Sequence, residues 1–76
     1  MNKNRRKQIE KLNAIISDAR AKLEELRDEE QDTFDNMPES FQQGEQGSIS
    51  EEAISSLEEA ISSLEEAEAS LEAAQQ

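Results

Sequence analysis

From Ile9 onward the apolar residues recur at alternating steps of three and four: Ile9, Leu12, Ile16, Ala19, Leu23 and Leu26, with Ile15 widening the stripe. That spacing returns to the same side of a helix once per turn and predicts an amphipathic helix over about residues 3–35. A second seam of Ile54, Leu57, Ile61, Leu64 and Leu71, with Ala53, Ala60 and Ala67 alongside it, predicts a second helix over about residues 51–74. Neither segment contains glycine or proline, and both are rich in strong helix formers. The three alanines permit close approach of another helix.

Between the two lies NMPESFQQGEQGSIS, residues 36–50, which holds the single proline and both glycines. The chain is expected to turn there. Pro38 suits the first position of a short helical turn, PESFQQ, that Gly44 ends. Ser50 is one candidate cap for the second helix, with Ile49 stapling onto Ile54; Ser48 paired with Glu51 as a capping box is the competing one.

Two amphipathic helices joined by a short elbow predict an all-α fold, an antiparallel two-helix hairpin of coiled-coil type, with residues 1–76 as a single domain. At 76 residues the core is small and no cysteine is available to staple it, so completion by self-association into a helical bundle is expected. Charge points the same way. All eight Lys and Arg lie between Lys3 and Arg27, a segment of net charge +4, whereas the chain from Asp28 onward carries fifteen acids and no base, for a total of −11. Folding back is expected to bring Arg5, Arg6, Lys7 and Lys11 beside Glu65, Glu66, Glu68 and Glu72. By heptad count Glu68 stands where Ile54 and Ile61 stand, so a carboxylate enters the apolar line; either it fixes register at a cost in stability, or the helix frays near this end.

Composition narrows the chemistry. Without histidine or cysteine, the common transition-metal ligands and the usual near-neutral acid–base and triad chemistries are missing. No enzyme activity, cofactor, metal or small-molecule substrate is expected. No apolar run approaches the length of a membrane span, and the basic start NKNRRK leads into an amphipathic stretch containing acids, which argues against a cleaved targeting peptide. The acidic remainder opposes direct nucleic-acid binding, although the basic start has the charge to touch phosphates. The stretch DEEQDTFDNMPE, residues 28–39, has acids at four positions of a calcium-loop template. It carries Thr33 where that loop needs glycine, so no calcium site is expected.

Two surfaces are candidates for partner binding. Phe34, Met37 and Phe41 flank the elbow, either capping the open end of the hairpin or forming a small anchor for a protein partner. The repeated phrase EEAISSLEEAISSLEEA, residues 51–67, sets Glu51 and Glu52, Glu58 and Glu59, and Glu65 and Glu66 about 10 Å apart along a helix. This is either a solvated acidic face or a regular array of charge that imitates nucleic acid in the basic groove of another protein.

The run RDEEQDTFDNMPESFQ followed by EEAISSLEEAISSLEEA resembles a group of short acidic helical proteins of bacteriophages and prophages, over about Arg27 to Leu71. The resemblance implies a viral accessory origin and action in the cytoplasm of a bacterial host, and it carries no activity or binding residues over. The expected function is therefore a non-enzymatic helical interaction protein that self-associates or binds a protein partner, as an accessory or assembly factor. The alternative is an acidic, nucleic-acid-mimicking inhibitor of a host defence protein.

Overall fold

In a computed structural model, which describes residues 2–75, the chain forms α1 (Lys3–Asp35), a one-turn α2 (Glu39–Gln42) and α3 (Glu45–Ala74), with no strand among the described residues. α1 and α3 pack against each other as the two arms of a hairpin, a rod of 58 × 14 × 12 Å. Asn2 caps α1 by accepting the Arg5 N–H on its side-chain oxygen at 2.8 Å. At the other end Asn36 closes it, donating both its backbone N–H, at 3.0 Å, and its side-chain amide, at 2.9 Å, to the Asp32 carbonyl. These bonds satisfy groups that a helix end otherwise leaves open.

The elbow is tighter than the breakers suggest. α2 is the expected helical turn: Pro38 precedes it as N-cap and Gln43 follows it as C-cap, so Gly44 comes one residue after its end. α3, however, begins at Glu45, six residues before the predicted start. Its N-cap is Gly44, with no side-chain cap, and Ser50 lies buried inside the helix instead of capping it. Ser48 is likewise within the first turns, and Ile49 is exposed, so neither the capping box nor the staple forms. The physical reason lies at Gly47. A Cβ built there would stand 1.9 Å from the Gln42 carbonyl oxygen, so this glycine lets α2 lie directly against the first turn of α3. What reads in the sequence as a breaker is a point of close backbone approach.

The α3 seam is the predicted one, lengthened at its start: Gly47, Ser50, Ile54 and Ile61 are buried, and Leu57, Leu64, Glu68 and Leu71 continue the same line half-buried. The α1 side differs from expectation. Its half-covered positions follow Ile9, Asn13, Ile16, Arg20, Leu23, Arg27, Glu30 and Phe34, alternating steps of four and three, with Ser17 and Glu24 beside them, while Leu12, Ile15, Ala19 and Leu26 are exposed. α1 is thus rotated so that only one edge of its apolar stripe meets α3. Glu30 meets Ser50 and Arg20 meets Glu68, which places Leu23 level with Ile61 and the end of α3 level with Ile9. Lys3 to Gln8 project beyond that point and are exposed throughout.

Candidate interaction surface

Three polar positions lie on the α3-facing line of α1, and one of them, Arg20, bonds across the seam. Glu68, in the apolar line of α3, receives the Arg20 guanidinium at 2.5 Å, and the same guanidinium holds Glu24 at 2.7 Å. The Glu68 bond, followed by the Glu24 bond, raises the Arg20 pKa, so the arginine's own contribution is fully present below its ordinary range and is lost only as pH rises through the raised value. Arg27 also lies on the half-covered side, paired with Asp28 at 3.1 Å. Asn13, in the same line, has its Oδ1 buried with no hydrogen-bond partner. With these side chains on the facing line, Leu12, Ile15 and Leu26 stand on its flank.

That rotation corrects the expected charge pairing. Among the described residues the ion pairs are those of Arg20 and Arg27; Arg5, Arg6, Lys7 and Lys11 meet none of Glu65, Glu66, Glu68 or Glu72. Register is the reason, because the basic turns sit at and beyond the end of α3. The cation that serves Glu68 is Arg20, between three and four turns further in than the basic start. Sequence reasoning missed Asn13, Arg20 and Arg27 as seam residues. The available signal was the need of Glu68 for a cation, since a carboxylate on an apolar line is costly alone and a guanidinium on the facing helix relieves it.

The hairpin consequently has two unlike edges. In a right-handed helix, residues one position short of the seam on α1 and one position short of it on α3 fall on the same side of an antiparallel pair. This puts Leu12, Ile15, Ala19 and Leu26 on the same side as Ala53, Ala60 and Ala67. A shallow groove lined by Leu26, Glu29, Glu30, Thr33 and Leu57 opens on that side. The opposite groove is lined by Arg20, Glu65, Glu68, Ala69 and Glu72. One edge is mainly apolar, and the other is charged.

The residues singled out at the elbow divide between these roles. Phe34 ends the α1 seam half-buried, and its carbonyl accepts the Gln42 side-chain amide at 2.8 Å; Met37 is also half-buried, whereas Phe41 is 51% exposed. Phe34 and Met37 help close the elbow, which leaves Phe41 as the accessible one. Glu51, Glu52, Glu58, Glu59, Glu65 and Glu66 are all exposed. Residues 28–35, the first part of the calcium-loop template, are helical, and no group of three or more potential ligands is assembled among the described residues. No helix among them is long and apolar enough to cross a membrane. No protein-family model, curated protein or solved structure matches the chain.

Proposed function

We propose that this is a non-enzymatic helical interaction protein that acts by self-association or by docking on a protein partner, in the manner of a viral accessory or assembly factor working in the host cytoplasm. The observation that carries the reading is the exposure of Leu12, Ile15 and Leu26, at 52%, 64% and 51%, along one side of a single helix. Large side chains gathered on one side of a helix, here interrupted by Lys22, remain costly in water unless something covers them. Light scattering coupled to size exclusion at tens of micromolar tests self-association: a mass of two or more chains is expected. A single-chain mass that persists with helicity intact would leave only the docking form of this reading. A pull-down from host lysate tests that form, with Ile15→Asp as the control that must lose the captured protein.

The exposure of all six repeat carboxylates favours a second reading, an acidic inhibitor that occupies the basic groove of a nucleic-acid-handling protein. Replacing Glu51, Glu52, Glu58, Glu59, Glu65 and Glu66 by Gln separates the two. Under mimicry this variant loses its target and wild-type binding weakens steeply with salt. Under the apolar reading it keeps its partner, and Ile15→Asp loses it. If the elbow is the anchor, Phe41→Ala costs about 2 kcal/mol of binding and both other variants keep theirs.

A further inference from the structure

The exposed strip of α1 has a symmetry that selects its occupant. Leu12 and Leu26 stand seven residues to either side of Ala19, and beyond them the charges oppose each other. Lys3 to Lys11 hold five bases and one acid, a net +4; Arg27 to Asp35 hold one base and five acids, a net −4. Along its own helix this order is unfavourable. The positive end of the helix dipole carries bases, with no acid in the first turn, and the negative end carries acids, with no base in the last. The hairpin does not relieve it, because among the described residues the five bases of the first segment make no ion pair with α3, and the chain has no Lys or Arg beyond α1 to meet the acids of the second.

We propose that the apolar side takes a second copy of this chain, with α1 antiparallel to the second copy's α1 and Ala19 on the twofold axis between them. The inference rests on the self-association reading above and adds its geometry. In that arrangement Leu12 packs on the second copy's Leu26, Ile15 on the aliphatic stem of its exposed Lys22, and the small Ala19 lets the two helices cross closely. Lys11 comes beside the second copy's Glu29, which lines the groove next to Leu26, and each basic start runs level with the second copy's acidic end, so both ends of α1 gain the charge their dipole favours. Ala60 of α3 lies against the second copy's Ala67, which closes a four-helix bundle. A parallel pairing would set like charges side by side, and a contact through the opposite edge would press together the Glu65, Glu68 and Glu72 carboxylates.

Because the chain has no cysteine, single-cysteine variants report the contact directly. Mild oxidation of folded Ala19→Cys is expected to give a disulfide-linked pair of chains, and Ser55→Cys, on the outer side of α3, is expected to give none. Chains with Leu12→Cys should couple to chains with Leu26→Cys in preference to their own kind. An independent arm reverses charge. Lys11→Glu and, separately, Glu29→Lys should each weaken the pair by about fivefold or more, the scale of two exposed ion pairs replaced by like charges. Mixing the two reversed chains should restore it as a heterodimer. A dimeric mass without coupling at Ala19→Cys, and without any effect of charge reversal, would overturn this arrangement while leaving self-association intact. A single-chain mass for the folded protein at tens of micromolar would overturn both, and so would a closed species of more than two chains for the geometry.

Discussion

α1 and α3 are of nearly equal length, 33 and 30 residues, and both carry an apolar stripe of Ile, Leu and Ala, yet the hairpin uses them differently. On α3 the stripe and the partner-facing line coincide: Ile54, Leu57, Ile61, Leu64 and Leu71 all meet α1, with Glu68 as the single acid among them. On α1 the facing line alternates apolar with polar, Ile9 with Asn13, Ile16 with Arg20, Leu23 with Arg27, and half of the stripe turns to solvent. A helix that repeats one phrase has one place to put its apolar side. A helix with a wider stripe has two, and the polar groups decide which is used internally. The comparison teaches that α3 turns its large seam residues inward onto α1, whereas α1 leaves half of its stripe outside the hairpin.

The sharpest test of this difference is one truncation on each helix. Ile61 is 5% exposed, and Ile61→Ala should cost about 2–4 kcal/mol through lost burial and the cavity left behind, enough to melt much of so small a hairpin. Ile15→Ala should change stability by no more than about 0.5 kcal/mol, as for an exposed position. Urea titration followed by circular dichroism checks both, at concentrations where light scattering reports a single chain, so that lost association is not counted as lost folding. Equal costs would mean that α1 buries Ile15 within the hairpin after all.

Next in size is Gly47→Ala. Helix propensity alone predicts a gain of about 1 kcal/mol for replacing a glycine inside α3. The Gln42 backbone blocks the added methyl, and the expected outcome is a net loss of about 1–3 kcal/mol, the usual range for overpacking. A gain in the same titration would show that α3 begins later than Glu45.

Asn13→Leu should act in the opposite direction, raising stability by about 1 kcal/mol, because it removes a buried acceptor without a partner and adds apolar contact to the α1 line. The smallest net effect is expected at the bridge. Arg20→Leu and Glu68→Leu should each lower the melting temperature by leaving the other charge unpaired on the seam, whereas the double variant should recover most of the loss or exceed wild type. If the double variant also populates more than one helix register, judged by peak doubling in amide spectra, the bridge supplies specificity rather than stability.

The elements were legible because their signal is local. Apolar spacing, the absence of breakers within residues 3–35 and 51–74, and the Pro38–Gly44 turn each act within a few residues of chain. The start of α3 was not, since Gly47 and Ser50 look like elbow residues until the Gln42 carbonyl is seen against them. The acidic positions 51, 52, 58, 59, 65 and 66 were placed on an exposed side correctly, because polarity alone puts them there. At the elbow, Phe34, Met37 and Phe41 could be named as a group but not divided, because their exposure depends on how Gln42 folds back onto the Phe34 carbonyl.

What the sequence determined by itself is that there are two long helices, which stripe each carries, and how charge is distributed along them, since all three follow from residue type and a period of 3.6. What only the tertiary structure decided is the rotation of α1 about its own axis. A stripe that runs from Ile9 through Leu12, Ile15 and Ile16 to Leu26 is wide enough to bury either edge at similar hydrophobic gain. The choice fell to pairwise contacts that no periodicity encodes: Arg20 reaching Glu68 across the seam, Glu30 reaching Ser50, and the glycine at 47 that sets where α3 begins and so which residues stand level. Because hydrophobic burial is non-directional and ion pairs and backbone contacts are not, the few directional contacts select which apolar edge is left exposed.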